Sequence, residues 1–204
     1  MIPMIDVSEL FGAPSPGRAA ADAAILAAAC GEGFMTIVGL PPAVPSGKAV
    51  RNELLRIFAL SDDEKRKLYR RKFDAAQPNV YRGWFPLSNG RATYKEGIDM
   101  GPDVADPHWL TDPTDPLTEA TPRPAESALP GWRRDVAAYY RGMEHLGAAL
   151  MRSIARSLAL PETIFDEAFK GGISTLRLIR YPVRPEQSFE GADHAKVWVD
   201  HNGC

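Results

Sequence analysis

The sequence predicts an α+β fold. Apolar residues recur at helical spacing through the first three quarters, most plainly from Trp132 to Leu158. β-branched runs gather toward the end, at "ISTLRLIRYP" and "AKVWVD". The chain has 204 residues, 45% of them hydrophobic and 25% charged, enough to bury one ordinary core. A single domain over 1–204 is therefore expected.

Each element has its own signal. "IPMID" alternates as a short strand, with Ile2, Met4 or Ile5 facing inward. Gly17 to Gly31 is Ala-rich and closes on a glycine, as a helix with a glycine cap would. Gly33 to Leu40 is β-branched and Gly-bounded, hence a strand. "PPAVPSG" turns the chain, and Lys48 to Leu60 carries Val50, Leu54, Leu55, Ile57 and Phe58 at helical spacing. Ser61 and Glu64 form a capping-box pattern for another short helix. "YRGWFPLSNGRATYKEGIDMG" reads as strand, Asn-Gly turn, strand. Residues 101–131, rich in Pro, Asp and Thr, read as a long ordered loop, because neither flank looks self-sufficient. Trp132 to Leu160 is the longest helix, with Trp132, Val136, Tyr139, Met143, Leu146, Leu150, Ile154 and Leu158 as its core stripe. "PETIFDEAF" starts a further short helix, Ile173 to Pro182 is a strand, and "AKVWVD" is another.

Bulk chemistry narrows the function. The formal net charge is −2, and Lys and Arg alternate with Asp and Glu, so no nucleic-acid partner is expected. Two cysteines, Cys30 and Cys204, make no framework, which fits a reduced cytoplasmic setting. Cys30 reads as a small buried apolar residue. "MIPMIDVSEL" has no basic start before an apolar run, and "AAADAAILAAAC" is too short to span a bilayer, so no membrane partner is expected.

An ordered set of segments is familiar. "IPMIDVSEL", "GEGFMTIVGL", "IFALSDDEKRKLYRR", "YRGWFPL", "KEGIDMG", the long helix from "LPGWRRDV" to "IFDEAF", and "LRLIRYP" follow one another through most of the chain. Together they resemble the isopenicillin N synthase-like family of non-haem iron dioxygenases. The resemblance divides the chain into an N-terminal region (1–100), the Pro-rich loop (101–131), spine helices (132–170) and the start of a catalytic barrel (171–204). It implies a double-stranded β-helix, or jelly-roll barrel, holding Fe(II), with 2-oxoglutarate as co-substrate in most members. The implied activity is oxidation of an unactivated C–H bond of a small organic substrate.

The family's metal is held by two His and one carboxylate, the first His and the carboxylate coming from an H-x-D motif on a strand. Its one-residue gap puts both side chains on one face. The histidines here are His108, His145, His194 and His201, and none is followed two residues later by Asp or Glu. Asp193-His194 and Asp200-His201 are adjacent pairs, whose side chains diverge on a strand. Either the motif has decayed, with Asp200 or His201 its remnant, or it lies beyond Cys204; the second reading is favoured. "KVWVDHNG" then forms the first arm of a hairpin, turning at Asn202-Gly203. On this reading the barrel is truncated, no catalytic or metal-binding residue is assigned, and the chain alone is inactive. An open sheet edge would invite self-association. The alternative is a non-catalytic small-molecule-binding or regulatory protein built on the same scaffold.

The resemblance suggests four substrate-binding residues: Tyr81, Arg82, Phe85 and Tyr181. Tyr81, Arg82, Trp84 and Phe85 lie where relatives place substrate-contacting side chains, and Arg82 would suit an anionic substrate. The other reading of this stretch is an ordinary hairpin with aromatic cross-strand packing. Tyr181 either reaches the barrel mouth or packs on Pro182. Arg177 and Arg180 read as surface residues, and Lys95 and Glu96 as a solvated pair.

Overall fold

The computed structural model describes residues 1–87 and 94–183. In chain order it contains β1 (Met4–Asp6), α1 (Pro16–Cys30), β2 (Thr36–Val38), α2 (Gly47–Leu55) and α3 (Asp62–Arg66), then β3 (Gly83–Phe85), β4 (Glu96–Met100), α4 (Trp132–Ser157), α5 (Asp166–Phe169) and β5 (Leu176–Arg180). This is the mixed helix and sheet that the sequence predicts. The chain divides into two compact units. One is Met1–Arg51 with Arg134–Gly172, and the other is Asn52–Arg133 with the chain from Ile173 onward.

In the first unit β1 and β2 pair in parallel, with Ile5 opposite Ile37. Of the three candidates in "IPMID", Ile5 is the one that turns inward; Ile2 and Met4 are exposed. Helix α1 starts where Ser15 accepts the Arg18 N–H at 3.0 Å, with Pro16 in its first turn. It ends where the Gly31 N–H donates to the Ala27 carbonyl at 2.9 Å. Its inward stripe is Ala21, Ile25 and Ala28, which pack with Val7, Leu10, Val44 and Leu146. Cys30 lies off that stripe and is exposed, which corrects its expected burial. Arg156 of α4 grips Asp22 of α1 with two hydrogen bonds of 2.7 Å each.

Helix α4 supplies the predicted stripe as far as Ile154. Met143, Leu150 and Ile154 pack against the core, but Leu158 is 49% exposed. The Leu158 N–H still donates to the Ile154 carbonyl at 3.0 Å, and the chain turns away directly after it, where Ala159 takes a left-handed φ of 56°.

In the second unit the predicted helix from Lys48 tightens into a 3₁₀ turn over Arg56–Ala59. Ser61 caps α3 by accepting the Glu64 N–H at 3.3 Å. Trp132 is buried and its indole N–H donates to the Leu54 carbonyl at 2.8 Å. The sheet order is β3-β4-β5, and both pairings are antiparallel. Segment 68–70 runs beside β3: Trp84 N–H donates to the Leu68 carbonyl at 2.6 Å, and Arg70 N–H to the Trp84 carbonyl at 3.2 Å. Residues 101–131 are mostly irregular but tied down, with Asp103, Glu119 and Thr121 buried. The Asn89-Gly90 turn and everything from residue 184 to Cys204, including "AKVWVD", Asp193, His194, Asp200 and His201, lie outside the described residues.

Candidate substrate-binding face

Register assigns each residue of the three-stranded sheet to a face. Trp84, Ile98 and Leu178 stand opposite one another across the strands, and all three are buried. They form the core side. The flanking rows, Gly83–Asp99–Arg177 and Phe85–Gly97–Ile179, therefore face the other way. Gly97 is a requirement of this face. A Cβ there would lie 2.5 Å from Cζ of Phe85, so the bare strand lets the ring lie flat across it. Tyr81 precedes the strand, across Gly83 with its positive φ of 123°.

The face carries a concentrated charge cluster. Asp99 is 0% exposed. Arg177 holds it with a fork, Nε to Oδ1 at 2.5 Å and Nη2 to Oδ2 at 3.0 Å. Nη2 of Arg70 donates to Oδ2 of the same carboxylate, and its Nε donates to the Gly83 carbonyl at 3.2 Å. Both guanidinium groups sit by the Phe85 ring, at 4.8 Å for Arg70 and 5.8 Å for Arg177. The Tyr81 ring is 5.5 Å from Arg70. Burial pushes the pKa of Arg70 down; Asp99 opposes this and the charge of Arg177 adds to it. Hydrogen bonding to Asp99 raises that of Arg177. Two cations share one anion.

Arg82, just before β3, turns inward. It is 1% exposed, with Nη1 3.2 Å from Asp103 Oδ1 and Nη2 donating to the Leu117 carbonyl, while its Nε is buried without a partner. Thr121 completes Asp103 through its N–H at 2.9 Å and its hydroxyl at 2.6 Å. Glu119 accepts the backbone N–H groups of Val80, Tyr81 and Arg82 at 2.6, 3.0 and 3.1 Å. The loop 101–131 thus fixes the strand that presents Tyr81. Tyr181 sits one residue beyond β5, alternates with Arg177 and Ile179, and is 64% exposed.

Of the predicted residues, the structure sets Tyr81 and Phe85 each against the Arg70 guanidinium and Tyr181 at the strand end, and turns Arg82 into the interior. Two expectations are corrected. Glu96 is not a solvated residue but is buried, paired with Arg180 and with Lys65 at 3.8 Å. Arg177 keeps 35% of its side chain exposed, yet its head is committed to Asp99. Sequence reading missed Arg70, Asp99 and Glu119. One signal was available: "GIDM" sets an acid between apolar strand residues, where burial demands a cationic partner.

A concavity in the first unit is lined by Ala19, Ala23, Leu26, Cys30, Arg156 and Ser157. Its charges are already spent on the Asp22–Arg156 pair. No helix among the described residues is long and apolar enough to cross a membrane.

The family model for the non-haem dioxygenase in morphine synthesis N-terminal region matches residues 2–122. This chain belongs to the isopenicillin N synthase-like non-haem dioxygenases. The family's cofactors are Fe(II) and, in most members, 2-oxoglutarate. The dioxygenase-family chain is 30% identical over 187 residues to isopenicillin N synthase of Streptomyces clavuligerus, covering 91% of this chain and 56% of that protein. It is 30% identical over 205 residues to the Streptomyces jumonjinensis enzyme, covering 98% and 62%. The chain therefore spans little more than half the length of these curated relatives. A full-length Neurospora crassa protein, solved in complex with alpha-KG, superposes with a TM-score of 0.71 at 21% identity, covering 95% of this chain and 58% of that one. A putative 2OG-Fe(II) oxygenase family protein from Caulobacter crescentus gives 0.68 at 20%, covering 91% and 58%. These likenesses show a shared fold.

The residues described do not fit the family's iron. Among them, no group of three His, Cys, Asp or Glu could hold a metal ion. His108 and His145 are exposed, and the His145 ring packs 5.4 Å from Phe11.

Proposed function

We propose that the chain is part of an Fe(II)- and 2-oxoglutarate-dependent oxygenase that oxidises a small organic substrate. The carrying observation is the polar face of the sheet: Arg70, Asp99 and Arg177 converge with Phe85 and Tyr81 in a chain of this family. On this reading Tyr81, Phe85 and Tyr181 contact substrate. Arg82 acts from behind, holding loop 101–131 against the strand that carries Tyr81. The reading assigns 1–100 to the N-terminal region, 101–131 to the loop, 132–170 to the spine helices and 171–204 to the opening of a jelly-roll barrel. It places the protein in the cytoplasm, in keeping with two cysteines that form no framework.

The 204 residues contain no H-x-D. The chain alone is thus expected to release no succinate from 2-oxoglutarate when supplied with Fe(II). The test reads the coding DNA past Cys204 in every frame. An H-x-D within a few tens of codons, followed by a later His, supports the oxygenase. A stop with no such motif in any frame overturns it and leaves a non-catalytic binding protein.

A further inference from the structure

We propose that the Arg70–Asp99–Arg177 cluster is a receptor for the carboxylate of a small organic acid, whose body lies against Phe85 and Tyr81. The proposal rests on reading this face as the substrate side, and it names the class of substrate.

Charge balance is the first argument. Among the described residues two guanidinium groups converge on one carboxylate, which leaves one positive charge in excess. Asp99 is 0% exposed and cannot turn away. It holds both arginines in place, so a ligand would meet a prearranged pair of planar donors at little ordering cost. The depressed pKa of Arg70, from burial first and with Arg177 adding, agrees with a site holding more cation than Asp99 compensates.

Accessibility is the second argument. The Arg177 side chain is 35% exposed and that of Arg70 14%, so the cluster is open from the Arg177 side. Shape is the third. Gly83 and Gly97 put no side chain beside Asp99, and the Phe85 ring fills the space over Gly97. With Nε and Nη2 of Arg177 on Asp99, its outer edge is what faces a ligand, and a carboxylate there brings one negative charge. A phosphate dianion would overshoot the single excess charge, and a neutral amide would leave it unanswered.

The experiment titrates the isotope-labelled 204-residue chain with phenylacetate, and in parallel with phenylacetamide and with inorganic phosphate, following backbone amide shifts. The expected result is saturable phenylacetate binding that moves the amides of Gly83, Gly97 and Tyr81. A charged hydrogen-bonding pair lost from the ligand predicts at least about tenfold weaker binding of the amide. Arg177→Gln should weaken phenylacetate by a similar factor, whereas Arg152→Gln, on the exposed surface of the other unit, should not. Should Arg177→Gln fail to fold, added salt on the unaltered chain replaces it. Salt must then weaken phenylacetate binding and leave phenylacetamide unchanged. Equal binding of acid and amide, phosphate binding tighter than phenylacetate, shifts confined to the first unit, or no saturable binding overturns the proposal. None of these outcomes needs iron or 2-oxoglutarate, so failure here is separable from failure of the DNA test of the oxygenase.

Discussion

Asp99 shows how a single residue can organise a face without belonging to any local pattern. Its partners lie 29 residues before it and 78 after it, so no short motif announces the cluster. Its stability role follows from what it leaves behind when removed. Asp99→Asn keeps the shape but leaves two neighbouring guanidiniums without a carboxylate. Breaking a buried ion pair on one side costs about 3 kcal/mol or more, and part of Arg177 remains in water, which trims the total. A loss of about 3 kcal/mol in urea-induced unfolding is expected. A loss below about 1 kcal/mol would mean that water already solvates the pair. Glu119→Gln tests a related arrangement, since Glu119 accepts three consecutive N–H groups at the entry to β3. Its replacement puts an amide donor against those donors, at a cost of about 1–3 kcal/mol. Periodicity could report Trp132, Val136 and Leu146 as core, because each obeys a local spacing. It could not report Arg82, whose burial depends on Asp103 and on the Leu117 carbonyl, 21 and 35 residues away.

At the scale of elements, helix α4 contains two glycines with opposite consequences. Gly147 is exposed, and a Cβ there would meet nothing within 4 Å. Gly147→Ala should therefore stabilise by about 0.5–1 kcal/mol, the intrinsic helix preference for Ala. Gly142 is buried, and a Cβ there would lie 2.5 Å from Cδ of Pro45 and 3.3 Å from Cα of Val44. Proline is rigid and its backbone cannot yield cheaply, so the clash outweighs the propensity gain. Gly142→Ala should destabilise by about 1–3 kcal/mol, and thermal melts of the two variants should shift in opposite directions. The tie between α1 and α4 is pH-dependent. Burial is the largest single influence and opposes ionisation of Asp22, but hydrogen bonds from Arg156 and Ser153 and the charges of Arg156 and Arg18 together hold the pKa below the ordinary 3.8. A depressed carboxylate contributes its full stability above the unfolded value and loses it as pH falls through the folded one. The stability difference between the parent chain and Asp22→Asn should thus be constant above about pH 5 and shrink below about pH 4. A difference that grew on acidification would reverse the sign assigned to the pair. The elements themselves were largely legible. The α1 and α4 spans come within a few residues of expectation because glycine, proline and apolar spacing act locally. β5 is shorter than its apolar run, since only Leu176–Arg180 finds a partner in β4. That pairing is set across the sheet, outside the reach of local sequence.

The charges at the edge of the second unit's sheet bear on how whole chains meet. Among the described residues β5 pairs along β4, and Ile173, Tyr181 and Val183 near its ends are exposed apolar side chains. A strand with apolar neighbours is a template for pairing with another chain unless charges or proline blunt it. Proteins often place arginine or lysine on such a strand for that purpose. Here Arg180 is paired with Glu96, and the one positive charge that Arg70 and Arg177 hold in excess of Asp99 is screened by added salt, so little repels a second copy. A net charge of −2 adds little long-range repulsion between whole chains. The 204-residue chain is therefore expected to self-associate, its mass by light scattering rising with concentration and with added salt. Val183→Lys puts a free charge beside the strand at a position 96% exposed in the single chain, so it should lower the association without lowering the melting temperature of dilute protein. A mass that stays at 22.3 kDa over a hundredfold rise in concentration would show that the β5 edge does not recruit a second chain. Association unaffected by Val183→Lys would move the contact elsewhere, to be sought at the exposed apolar residues of the first unit, Ile2, Met4 and Phe34.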